Sequence, residues 1–154
     1  MPSHHKQEDS FSDTDWFAWF DGSAKPNPGR CHLACILKGK DGAIYTHTEY
    51  IGYGDSSDAE YQALISALKL IAQKTEHPDR VRILLRGDSQ VVINDVLGPK
   101  NKASQKLSQY RNDALVLISQ LPGLTLKWIP RHKNNEVDAL MRNDIGIKTE
   151  EISL

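Results

Sequence analysis

Asp58-Ala59-Glu60-Tyr61-Gln62-Ala63-Leu64-Ile65-Ser66-Ala67-Leu68-Lys69-Leu70-Ile71-Ala72-Gln73-Lys74 is the stretch whose period decides the fold. Glu60, Leu64, Ala67, Leu68 and Ile71 fall on one stripe, so residues 58–74 read as an amphipathic helix. Strands flank it on both sides. Upstream, Trp16-Phe17-Ala18-Trp19-Phe20 reads as a buried strand, stopped by Gly22 and then by Pro26 and Pro28. Residues 32–38 and 43–51 follow as two more, separated by Gly39 and Asp41-Gly42, a hairpin signal. Downstream, Val81-Arg82-Ile83-Leu84-Leu85 is a strand ending at Gly87-Asp88. A helix set between an antiparallel meander and a further strand makes the chain α/β.

The remaining elements follow the same rules. A short helix runs through Leu97 and is broken by Gly98 and Pro99. A helix over about 103–120 turns Leu107, Tyr110, Ala114, Leu117 and Ile118 inward and ends at Pro122-Gly123. Leu124, Leu126 and Trp128 alternate as a last strand, and Asn134 is placed to cap a final helix carrying Val137, Leu140 and Met141. The order is βββαβααβα. One domain is expected over residues 15–146, with polar, disordered tails at 1–14 and 147–154.

Composition narrows the class. The 154 residues suit one ordinary domain with a proper core. The net charge of -1 hides an asymmetry: Glu8, Asp9, Asp13 and Asp15 crowd the start, whereas Lys100, Lys102, Lys106 and Arg111 occupy 98–111 without an acid. Such a local basic stretch attracts polyanions or simply forms a solvated helix face. No apolar run approaches membrane-spanning length and the acidic start is unlike a presequence, so a cytoplasmic protein without membrane association is expected. Cys31 and Cys35 are the only cysteines. On one strand face their sulfurs would lie roughly 13 Å apart, too far to share an ion even with His32 nearby, so buried reduced thiols are expected.

Four acids stand at positions that sheet topology would gather: Asp21, Glu60, Asp88 and Asp138. If the first strand and the strand ending at Gly87 are parallel neighbours, Asp21 and Asp88 lie about 5 Å apart at the edge where active sites of open α/β sheets collect. Singly, Asp21-Gly22 reads equally as a turn, Asp88 as a helix cap, and Asp138 as an acid favoured in a first helical turn. Glu60 is harder to explain structurally, because it shares the apolar stripe and points at the sheet. A buried carboxylate needs compensation, and converging carboxylates need divalent cations to stay ionised at neutral pH.

The motifs Asp21-Gly22-Ser23 with Asn27-Pro28-Gly29, Ala59-Glu60-Tyr61, Asp88-Ser89-Gln90, and Trp128-Ile129-Pro130-Arg131 leading to Asn134 and Asp138-Ala139-Leu140 resemble the ribonuclease H family, type 1, over about residues 16–145. The resemblance implies a five-stranded mixed sheet flanked by helices and hydrolysis of the RNA strand of RNA–DNA hybrids. It implies a two-metal mechanism with magnesium, manganese being a substitute, and 5′-phosphate and 3′-hydroxyl ends. Asp21, Glu60, Asp88 and Asp138 match the family's metal-binding acids, with Asp21 bridging both ions. In such a mechanism one ion lowers the pKa of a water and the other stabilises the leaving oxygen. Gly22, Ser23, Ala24, Asn27, Ser56, Ser57, Ser89, Gln90, Arg131 and Asn134 are the expected nucleic-acid contacts, reading the 2′-hydroxyl and groove shape more than base identity.

There are departures from the family's pattern. Asp55-Ser56-Ser57 replaces a Thr-Asn-Asn stretch that helps hold the DNA strand, and Asp55 should repel phosphate. Arg30-Cys31-His32 replaces a glycine-rich continuation, and the basic stretch at 98–109 is shorter than the protrusion of some members. His132 stands where many members place a histidine that assists product release, but only six residues before Asp138, and it reads equally as a surface loop residue. No obligate protein partner is evident and a monomer is expected. Two other functions stay open: a DNA-directed nuclease or resolvase on the same fold, and a non-catalytic hybrid-binding module. Retention of all four acids disfavours the module, since clustered negative charge repels a polyanion.

Overall fold

Three strands, β1 (Trp16–Lys25), β2 (Gly29–Gly39) and β3 (Ile44–Gly54), form an antiparallel meander. Helix α1 (Ser56–Lys74) crosses to β4 (Ile83–Gly87), which pairs parallel to β1. Two helices, α2 (Gln90–Leu97) and α3 (Ser108–Ser119), lead to β5 (Leu124–Trp128), parallel to β4, and α4 (Asn135–Ser153) follows. The sheet order is β3-β2-β1-β4-β5. This computed structural model describes residues 13–153, with side chains for 13–144. The element order and the mixed five-stranded sheet agree with the sequence reading.

Helix α1 forms where its period and caps coincide. Asp55 accepts from the Asp58 amide at 2.9 Å and donates its own amide to the Asp58 carboxylate at 2.8 Å, a reciprocal capping box. Its inner stripe buries Tyr61, Leu64, Leu68 and Ile71 against Phe20, Leu33, Leu37 and Leu85. Each such aliphatic or aromatic side chain contributes about 1.5–3 kcal/mol on burial. The helix stops at Thr75, whose amide and hydroxyl both donate to the Ile71 carbonyl. The opposite sheet face carries a smaller apolar cluster, in which Val137 and Met141 of α4 pack on Ala34 and Ile36.

Several boundaries differ from the sequence reading: the second strand starts at Gly29 instead of 32, the third runs to Gly54 instead of 51, and the long helix starts at Ser56 instead of 58. β1 does not stop at Gly22: its pairing with β2 continues from Gly22↔Leu33 to Lys25↔Arg30, so only Pro26 and Pro28 end it. Asp21 is therefore not the last residue of its strand, although parallel pairing with β4 ends just before it at Phe20↔Gly87. The third helix begins at Ser108 instead of 103, because the Ser104 amide is diverted to the Asp95 carboxylate at 2.7 Å and Lys100–Lys102 forms a separate 3-10 turn. α4 keeps helical backbone past Gly146. Of the N-terminal segment, residues 1–12 lie outside the described residues. Thr14 is buried, and Asp15 accepts from the Arg82 amide at 2.9 Å and pairs with Lys40 at 2.7 Å.

Cys31 and Cys35 are both buried and free, as expected. Burial pushes the Cys35 thiol up to about 12, which leaves it unreactive. Among the described residues, no helix is long and apolar enough to cross a membrane.

Candidate active site

Two glycines bring the acids together. At Gly87, an added Cβ would lie 2.4 Å from the Phe20 ring, so only glycine lets that ring lie beneath the end of β4. At Gly22, an added Cβ would lie 2.4 Å from the carbonyl carbon and oxygen of Ala59, so glycine admits the first turns of α1 against β1. Asp21 and Asp88 then follow the last paired residues of adjacent parallel strands, and Glu60 enters from the helix. One carboxylate oxygen from each of Asp21, Glu60 and Asp88 lies within 4.8 Å of the others.

Burial makes this convergence costly. Asp21 is 6% exposed, and its carboxyl is pushed up to about 7 by burial, then by the charges of Asp88 and Asp138. The Gly22 amide and Arg131 pull the other way. Glu60 is raised well above the usual range by burial and then by Asp21 and Asp88. Its buried Oε2 has no hydrogen-bond partner. Burial also raises Asp88, against the opposing effects of Arg131 and the Asn134 side chain. Such a group of oxygens takes up either protons or a cation.

Asp138 behaves differently. It lines the same cavity of about 340 Å³, yet its carboxylate binds Arg142 one helical turn on, a favourable i,i+4 pair, and stays outside the converging trio. The four acids thus share a cavity, while three share a common point.

The other expected contacts divide. Gly22, Ser23, Ala24, Ser56 and Arg131 line the cavity. Asn27 does not line it but bonds Ser56, which does, donating to the Ser56 hydroxyl at 3.3 Å and accepting from the Ser56 amide at 3.1 Å. Asn134 is buried, and its amide donates to the Phe20 carbonyl at 3.1 Å. It braces the chain below Asp21 instead of meeting solvent. Its side-chain Oδ1 accepts no hydrogen bond and so does not cap α4, although its backbone carbonyl accepts from the Asp138 amide. Ser89 caps α2 by accepting from the Val92 amide, which frees Asp88 from that task. Gln90 is exposed at the start of α2. Ser57 and His132 do not line the cavity, and His132 is exposed on the 3-10 turn Arg131–Lys133.

Two features went unnoticed in the sequence. Arg142 lines the cavity, and its spacing of four from Asp138 was a legible signal. Lys106 pairs with Asp55 at 2.6 Å and, with the Asp58 amide, holds that carboxyl down to about 2. The repulsion expected of Asp55 toward phosphate is therefore countered by a cation from the basic stretch.

Comparisons with known proteins agree with this geometry. Residues 19–143 match the family model described as reverse transcriptase-like. The chain is 33% identical over 124 residues to a ribonuclease HI of Halobacterium salinarum, covering 80% of this chain but 60% of that protein's length. Its fold is similar to the crystal structure of RNase H1 from the same archaeon, with a TM-score of 0.74 and 30% identity, covering 85% of this chain and 97% of that one. It also resembles in fold LC11-RNase H1, solved in complex with an RNA/DNA hybrid, at a TM-score of 0.74 and 24% identity, covering 83% of this chain and 94% of that one.

Proposed function

Because the chain belongs to the ribonuclease HI family, we propose that it is a divalent-metal-dependent endonuclease that hydrolyses the RNA strand of RNA–DNA hybrids, leaving 5′-phosphate and 3′-hydroxyl ends. The observation that carries this reading is the buried meeting of Asp21, Glu60 and Asp88, with a Glu60 oxygen that has no partner. The donor set fits the cation: all are hard carboxylate oxygens, suited to magnesium or manganese and unsuited to softer metals. Asp21, Glu60 and Asp88 would hold one ion, and Asp138 would join Asp21 on a second. When bound, a pair of such ions supplies a water ionised at neutral pH and charge stabilisation at the leaving oxygen.

The chain's own groups do the rest. Asp21 and Asp88 both feel the charge of Asp138, and Asp21, the most buried of these aspartates, would be the ligand common to the two ions that the family resemblance implies. Arg131, already attracted to Asp21 and Asp88, provides a cation that an incoming phosphate would meet. The Gly22–Ala24 backbone and Ser56 line the cavity wall and would read a sugar edge, where the 2′-hydroxyl separates RNA from DNA. Asn27 holds Ser56 in place through its two hydrogen bonds.

The test is cleavage of end-labelled matched hybrid, duplex RNA and duplex DNA with magnesium, followed by end-group determination. Cutting of the hybrid alone, lost in Asp21→Asn while hybrid binding persists, is the expected result. Preferred cutting of duplex DNA, or full turnover by the variant, would refute the assignment.

A further inference from the structure

The register of the meander extends the candidate active site across the sheet. Asp21 pairs with Ala34, whose side chain faces the α4 cluster, so Asp21 projects from that face. Two residues further on, Ser23 pairs with His32 and His32 with Tyr50; two further again, Lys25 pairs with Arg30 and Arg30 with Tyr53. Cross-strand partners share a face, and i, i+2 residues of one strand share it too. A register shift opposite Cys31 and His32 adds one residue to β3, so Tyr50 and Tyr53, three apart in sequence, both keep partners on this face, and all six side chains stand on the face that carries Asp21.

α4 packs over the rows of Ala34 and Ile36 and leaves these next two rows open. Tyr50 is 49% and Tyr53 79% exposed, and Lys25 and Arg30 are exposed. The His32 and Tyr50 rings lie 5.1 Å apart at 46°. Neither row carries an acid. The patch is continuous with the cavity through Ser23 and Lys25, which line both. It reaches about 13 Å along β1 and about 10 Å across the strands from Asp21.

Exposed aromatic rings interleaved with cations, running out of a phosphodiester-cleaving cavity, have the chemistry of a single-strand platform. Unpaired bases stack on the rings and phosphates meet the cations. Bases within a duplex are already stacked and have no free face to offer. We propose that the His32–Tyr50 and Arg30–Tyr53 rows bind an unpaired extension of the RNA strand as it leaves the cleavage site. This rests on the proposed function above, because the cleaved strand is the one that must pass Asp21.

The experiment uses the full chain carrying Asp21→Asn, so that substrate stays intact, and measures binding by fluorescence anisotropy with magnesium present. The probes are a blunt hybrid, hybrids with a short unpaired RNA extension at the 5′ or 3′ end, and one with a DNA extension. One RNA extension should tighten binding about tenfold over the blunt hybrid, the gain of a single good stack. Tyr50→Ala with Tyr53→Ala should bring that ratio to one, and Tyr50→Phe with Tyr53→Phe should retain it. Circular dichroism checks that each variant folds. No gain from either RNA extension, persistence of the gain in the alanine pair, or an equal gain from the DNA extension would overturn the proposal. Failure of the nuclease reading is separate: the wild-type chain would then not cut the blunt hybrid.

Discussion

Gly22 on β1 and Ala59 in the first turn of α1 are in contact so close that a methyl group at Gly22 would lie 2.4 Å from the Ala59 carbonyl. That contact sets the distance from Asp21, the residue before Gly22, to Glu60, the residue after Ala59. Gly22→Ala should destabilise the fold by about 1–3 kcal/mol through overpacking against backbone that cannot rotate away. It should also lower cleavage more than tenfold, because α1 is forced off the sheet. Urea denaturation and initial rates measure the two effects; a variant as active as wild type would mean that this contact does not position Glu60.

The raised carboxyls of Asp21 and Glu60 make metal-free stability fall as pH rises. The folded protein holds protons on these groups that the unfolded chain releases near pH 4, so their ionisation opposes folding through the window from about 4 to beyond 7. Glu60→Gln should therefore raise Tm by several degrees at pH 8 without divalent cations. Magnesium should raise the wild-type Tm and leave the variant's nearly unchanged, as read by differential scanning fluorimetry.

Protons and cations compete for the same oxygens. At low magnesium, cleavage should fall as pH drops below about 7, where Asp21 becomes protonated. More magnesium should move that limb to lower pH. A pH–rate profile independent of magnesium concentration would contradict the assigned metal ligands.

Away from the cavity, Asp95 accepts from the Tyr61 hydroxyl at 2.6 Å and the Ser104 amide, and pairs with Arg111 at 3.5 Å, with both charged side chains largely buried. Asp95→Ala leaves Arg111 buried without its counter-charge, holding only the Ser104 carbonyl at 3.0 Å, which should cost about 3–5 kcal/mol. Adding Arg111→Met should recover much of it. Urea midpoints of the two variants decide this.

The Asp55–Lys106 pair is more exposed, so its effect should fall on binding more than on folding. Lys106→Ala should leave the urea midpoint nearly unchanged, because an exposed ion pair adds little to folding. It should weaken hybrid binding at low salt, because the Asp55 charge is then uncompensated beside Ser56. Equal hybrid affinity for the two proteins at low salt would mean that the pair does not face nucleic acid.

Periodicity and punctuation in the chain were enough to decide the order of elements and the inward direction of Glu60. These are local properties: a helical stripe at 58–74, alternation at 124–128, breakers at Pro26, Pro28 and Gly98. The family motifs likewise mark all four acids that line the cavity. Tertiary structure alone decided which of those acids meet. Asp138 pairs with Arg142 outside the trio, Lys106 reaches Asp55 from 51 residues away, and Asn134 turns inward to the Phe20 carbonyl. The continuation of β1 past Gly22 and the face shared by Asp21, His32 and Tyr50 also depend on strand register. The physical reason is that a residue's conformational preference is set by its chain neighbours, whereas its charge environment is set by whatever packing brings alongside.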